Sequence, residues 1–178
     1  MNTRTAISTF IVTAVVLVLV FASAGAGPLA SGDLVPMGDK PAAKKPALKK
    51  HKAVVCDGTK DISLNKVLIE GDGPAATVQG ACDVIIKNSV IKTKGDALVV
   101  QGSGDIKLVN TTVESGGNAL VVRGSGDLDV IGSQISGADA AVRIDGSGDL
   151  TAKDSTFRGK KVVRGTGEYK DGGGNKWE

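Results

Sequence analysis

The chain has 178 residues, 41% hydrophobic but only 3% aromatic, with 25 glycines and a formal net charge of +3. Its single histidine, His51, lies in a lysine-rich stretch. This excludes a Ser-His-Asp or Cys-His catalytic arrangement, a histidine-built metal centre and a row of aromatics for stacking sugars or bases.

Residues 1–24 read as an export signal. Arg4 supplies the positive start, Ile7 to Phe21 is a nearly continuous apolar run, and Ala22-Ser23-Ala24 fits a small-x-small cleavage site. The alternative is an uncleaved membrane anchor, for which the run is short against the roughly 20 residues of a full span. The expected location is secreted or periplasmic, an oxidising compartment.

Residues 25–52 read as a disordered linker. Pro28, Pro36, Pro41 and Pro46 alternate with Lys40, Lys44, Lys45, Lys49, Lys50 and Lys52, a composition that buries no core and repels itself. It is a solvated spacer or, alternatively, an electrostatic tether to an anionic cell-envelope polymer. Residues 53–178 hold 15 basic and 17 acidic side chains. The domain itself is mildly acidic, which disfavours nucleic acid as a partner.

From residue 53 to 171 the chain repeats. Gly102-Ser103-Gly104-Asp105 recurs 22 residues later as Gly124-Ser125-Gly126-Asp127 and again as Gly146-Ser147-Gly148-Asp149. Gly80–Asp83 and Gly58–Asp61 keep the same phase, and Gly165-Thr166-Gly167-Glu168 follows after 19 residues. A fixed period of this size predicts a solenoid. Aliphatic residues alternate with polar ones in short runs, as in Ile106-Lys107-Leu108, which is the two-residue period of strands with one buried face. The expected fold class is all-β: a right-handed parallel β-helix of about six 22-residue rungs, three strands to a rung. Four columns are expected inside, among them Cys56, Val78, Val100, Val122, Ile144 and Val163, and Ile69, Ile91, Val113, Ile135 and Phe157.

The stretch IKNSVIKTKGDALVVQGSGDIKLVNTTVESGGNAL resembles the repeats of the right-handed parallel β-helix, pectate-lyase-like superfamily. Asn88 and Asn110 match that superfamily's corner asparagines, with Gly132 and Asp154 in their place in later rungs, followed by a hydroxyl column of Ser89, Thr111, Ser133 and Ser155. The Cys56 and Cys82 region is also similar to small exported bacterial β-helical domains of unknown function. The resemblance implies the fold and leaves the activity open.

Four features are candidates for function. Asp83, Asp105, Asp127 and Asp149, with Asp61 and Glu168 beyond them, form an acidic row beside the glycine turns. They are turn caps accepting backbone N–H groups or, alternatively, calcium ligands; no other cofactor is expected. Arg123, Arg143, Asp145 and Arg164 fall on the outer face of the first strand, which is the substrate groove in pectin-degrading relatives. They are a surface ion-pair network or, alternatively, a site for acidic polysaccharide. Cys56 and Cys82 are expected to form a disulfide, two free thiols being the alternative. The tail, residues 172–178, caps the last rung, or makes an end-to-end contact between copies through an open edge. The reading that best fits these features is an exported scaffold or interaction module of the cell envelope without a catalytic constellation. The alternatives are a small protein that binds or cleaves acidic polysaccharide, and a calcium-stabilised adhesin.

Overall fold

A computed structural model describes residues 47–178. The expected signal (1–24) and the linker up to residue 46 lie outside them. Among the described residues every regular element is a strand and none is a helix.

The strands form three parallel sheets of six, six and seven strands. The first sheet runs from Val54–Cys56 to Lys161–Val163, the second from Ile62–Asn65 to Tyr169–Asp171, and the third from Lys49–His51 to Lys176–Trp177. Each rung visits the first, second and third sheet in that order.

Register is one rung per 22 residues, as the repeat requires. Val122 sits over Val100 and under Ile144. Leu128 lies between Ile106 and Leu150, and Ile135 between Val113 and Phe157. A one-residue slip would turn every one of these side chains outward. The columns are buried, and each Val, Leu or Ile in them contributes about 1.5–3 kcal/mol by leaving water.

The last rung is short because the corner between Phe157 and Lys161 has lost three residues. Phe157 and Lys161 flank it, whereas Ile135 and Val142 flank the corner before. Gly159 makes the tighter bend possible with φ +124°, and a Cβ there would meet the Gly137 carbonyl oxygen at 2.5 Å.

The corner between second and third sheets is left-handed in every complete rung it serves. Lys66, Asn88, Asn110, Gly132 and Asp154 have φ of 50–59°, a region asparagine and glycine enter at low cost. The hydroxyl column follows. Ser133 Oγ donates to the Ile131 carbonyl at 2.9 Å and accepts the Thr111 N–H at 3.1 Å, while its own N–H donates to Ser155 Oγ at 3.1 Å. The Ser89, Ser133 and Ser155 hydroxyls thus replace a backbone acceptor where the chain turns, while Thr111 Oγ1 donates to the Val109 carbonyl. Ser133→Ala leaves the Thr111 N–H buried without an acceptor and costs about 1–3 kcal/mol. A urea titration checks this: the midpoint falls for Ser133→Ala and recovers for Ser133→Thr, and equal midpoints for all three would refute the role.

Two boundaries differ from expectation. Lys49–His51, assigned to the linker, pairs with Val67–Ile69 as the first strand of the third sheet. Its side chains are all exposed, so backbone pairing and the exposed Lys50–Glu70 ion pair hold it and no apolar pattern marks it. At the other end the strands continue past residue 171, and residues 172–178 lie over the last rung with Lys176–Trp177 paired to Thr156–Phe157. Trp177 stacks on Phe157 at 4.6 Å between ring centroids, and Tyr169 meets both edge-on. Asn175 completes the hydroxyl column, its Oδ1 accepting the Ser155 N–H at 2.9 Å and its Nδ2 donating to the Ala152 carbonyl at 2.8 Å.

The disulfide forms between Cys56 and Cys82, with Cα atoms 6.1 Å apart. Cys56 lies in the inward column under Val78, and Cys82 in the turn of the next rung. Closing 26 residues, the bridge constrains the unfolded chain by about 3 kcal/mol and ties together the two rungs nearest the N-terminal edge.

Candidate functional site

The acidic row follows the turn from first to second sheet. Asp61 Oδ1 accepts the Asp83 N–H at 3.0 Å, and Asp83 accepts the Asp105 N–H at 3.0 Å. Asp105 and Asp127 do the same for Asp127 and Asp149 at 2.7 Å, and Asp149 for Glu168 at 2.8 Å. Each carboxylate caps the turn one rung on, so one oxygen of every acid is committed to backbone. The four candidate calcium ligands, Asp83, Asp105, Asp127 and Asp149, stand one to a rung in this chain of caps. A shallow depression of about 260 Å³ runs beside Asp83, Asp105 and Asp127, and Lys107 on its wall reaches Asp129 at 3.3 Å. Among the described residues no group of three His, Cys, Asp or Glu is gathered as a metal site would gather them.

Asp149 is the most heavily engaged of the row. The Lys170 ammonium and the Glu168 N–H, in that order, hold its carboxyl below the ordinary value of 3.8. A depressed carboxyl stabilises the fold fully at pH values above the unfolded group's pKa, and that stabilisation is lost as pH falls through 3.8 and then through Asp149's own lower value. Melting temperature therefore drops between pH 5 and pH 3. Asp149→Asn, which keeps an acceptor for the Glu168 N–H, flattens that drop; parallel pH curves for the two proteins would exclude the charge effect.

On the outer face of the first sheet, Arg143 Nε donates to Asp145 Oδ2 at 2.6 Å, two residues on and just past the end of the Ala140–Ile144 strand. The Asp145 carboxylate raises the Arg143 pKa by hydrogen bond and then by charge, with Asp96 and Asp139 adding to it. Arg123 Nη2 reaches Asp96 Oδ2 at 3.2 Å, while Asp96 Oδ1 accepts the Asn118 N–H at 3.0 Å and its amide at 2.8 Å. Arg123, Arg143 and Asp145 are thus brought to one face, each with a partner. Arg164 lies one rung beyond and has no carboxylate at ion-pair distance among the described residues. Of the other outward positions, Val99 and Val121 are buried, stacked in register between Thr77 and Arg143, while Gln79 and Gln101 are exposed.

Sequence reasoning missed Asp96, the residue that joins Asn118 and Arg123 across the rung. Its 22-residue spacing from Asn118 was the available signal. It also missed a polar trough of about 300 Å³ on the third sheet, lined by Thr112, Glu114, Gln134, Ser136, Thr156 and Arg158. These are the outward partners of the Val113–Ile135–Phe157 column.

Three parallel sheets wound around stacked aliphatic columns, with turns that cap one another, define a parallel β-solenoid. The chain belongs to the right handed beta helix region family, whose model matches residues 52–174. No curated protein matches the chain, and no solved structure does.

Proposed function

We propose that the protein is an exported structural or interaction module of the cell envelope, a rigid rod held on anionic polymer by its lysine-rich N-terminal stretch. One observation carries this reading. Apart from Arg143–Asp145, the ion pairs join adjacent rungs: Lys50–Glu70, Lys92–Glu114, Lys94–Asp72, Lys107–Asp129, Arg123–Asp96, Arg158–Glu178 and Lys170–Asp149. All their side chains are exposed but for the half-buried carboxylates of Asp96 and Asp149, and a surface pair contributes about 0–1 kcal/mol. Together they occupy charged groups along the rungs with stacking, which suits a spacer or platform more than a reaction centre with convergent groups.

The test is retention on isolated anionic envelope polymer, with polygalacturonate as a second polymer. Retention falls as salt rises and is lost when Lys40, Lys44, Lys45, Lys49, Lys50 and Lys52 are replaced by glutamine. Neither polymer is shortened. Retention indifferent to those lysines, or the appearance of new polymer ends, overturns the reading.

A further inference from the structure

The outward face of the third sheet carries charges in an order that inverts when it is read backwards. Register places Lys92, Glu114, Ser136, Arg158 and Glu178 one above another in successive rungs. Their charges run plus, minus, neutral, plus, minus. Lys92 pairs with Glu114 at 2.9 Å and Arg158 with Glu178 at 2.5 Å, so each pair closes on its own side of Ser136. The polar trough of about 300 Å³ lies across this break, with Glu114 and Arg158 on either side of the small Ser136. A second outward column, two residues earlier on each strand, runs Val90, Thr112, Gln134, Thr156 and Lys176. Gln134 is exposed, in the same rung as Ser136.

Laying a second copy of this face on the first, turned half a revolution about the Ser136 strand, reverses the order of the rungs. Each charge then falls opposite its counterion: Glu114 opposite Arg158, and Lys92 opposite Glu178. Gln134 meets Gln134, whose amide carries both donor and acceptor and so bonds to its own copy. Thr112 meets Thr156. Neighbouring registers bring like charges together. Half a rung toward the N-terminus, Lys92 would meet Arg158 and Glu70 would meet Glu178. Half a rung the other way, Glu114 would meet Glu178. A full rung away, Glu114 or Arg158 would meet itself. Like charges set face to face oppose association, so the face specifies one register.

We propose that this face joins two copies of the chain, rods antiparallel, about a two-fold axis along the Gln134–Gly137 strand. Lys92 and Glu114 of one protomer, with Arg158 and Glu178 of its partner, close a ring of four alternating charges. The symmetry makes two such rings, one on each side of the axis. The trough leaves room at the centre, so the longer side chains on either side reach across. Five rungs at a spacing of about 4.8 Å give a smaller footprint than the roughly 800 Å² per partner of stable dimers. The association is therefore weak and reversible, and salt dissolves it.

Sedimentation velocity of the full chain over a concentration series tests this. At low salt the wild type moves from monomer toward dimer as concentration rises, and high salt returns it to monomer. Arg158→Glu sets glutamates opposite each other on both sides of the axis and weakens dimerisation at least about tenfold, with the far-UV spectrum unchanged. Exchanging all four charges together, Lys92→Glu, Glu114→Lys, Arg158→Glu and Glu178→Lys, restores the dimer, and this variant forms no mixed dimer with the wild type. Orientation is read separately with Ser136→Cys, whose thiol is the one free thiol because Cys56 and Cys82 are bridged. A short bis-maleimide links it into a covalent dimer and leaves Thr151→Cys, on the second sheet, unlinked. A wild type that stays monomeric up to about 1 mM overturns the proposal. So does a dimer indifferent to Arg158→Glu, and so does growth past two copies, which belongs to the ends of the rod.

Discussion

Gly126→Ala costs the domain about 3 kcal/mol or more, at the upper end of what overpacking does. A Cβ at 126 would stand 2.1 Å from the Gly104 carbonyl oxygen and 2.8 Å from its carbon. Both contacts are backbone, in an interior rung whose Gly126 N–H is itself bonded to the Gly102 carbonyl. No rotamer change relieves them; the turn has to rise off the one beneath and lose its hydrogen bonds. The melting temperature falls by roughly 10 °C, given about 3–5 °C per kcal/mol for a domain of this size. Gly73→Ala is the control, since a Cβ there meets nothing within 4 Å and its φ is ordinary. A Gly126→Ala protein that melts with the Gly73→Ala protein would refute the close stacking of the turns.

Phe157→Ala costs about 4 kcal/mol. Phe157 is fully buried, ends the Ile135 column and carries Trp177 on its face. Removing it takes away the platform for the last strand of the third sheet as well as its own burial. Trp177 is the chain's one tryptophan, so its fluorescence reports the event directly: emission shifts to the red in the folded variant, and the denaturation midpoint drops. An unshifted spectrum would mean that the last strand is held without the aromatic stack. A neighbouring group sets a contrast. The Tyr169 hydroxyl is buried with no hydrogen-bond partner among the described residues, so this cluster is held by ring contacts and by Lys161, 4.5 Å from the Tyr169 ring centre.

The columns were legible in the sequence because a 22-residue period admits one register. Val78, Val100 and Val122 announce their stacking by phase alone, and so do the corner residues Asn88 and Asn110. The acid row was legible in position and in its capping role, since an aspartate beside a glycine turn has few other uses for its oxygens. What lay beyond reach has a common cause. Lys49–His51 is held through backbone atoms, which every residue shares, and an exposed Lys50–Glu70 ion pair, so no apolar pattern marks it as a strand. Asp96 keeps the 22-residue phase with Asn118, but Arg123 lies 27 residues on, off that phase, so the repeat does not announce their contact. The Arg123, Arg143 and Asp145 group was legible as an ion-pair network around Asp145, and Arg143 pairs there, but the partner of Arg123 was not, because its carboxylate is that of Asp96.

The direction of the turn hydrogen bonds has an electrical consequence. Along a strand, successive N–H groups point to opposite ends of the rod and their dipoles cancel. In the glycine turns they do not: Gln101, Gly102, Ser103 and Gly104 all point toward the preceding rung. Stacked through the solenoid, these peptides sum along its axis much as those of a helix do. One edge of the rod bears a partial positive pole at its N-terminal end and a partial negative pole at its C-terminal end, so the two ends of the molecule are electrically distinct.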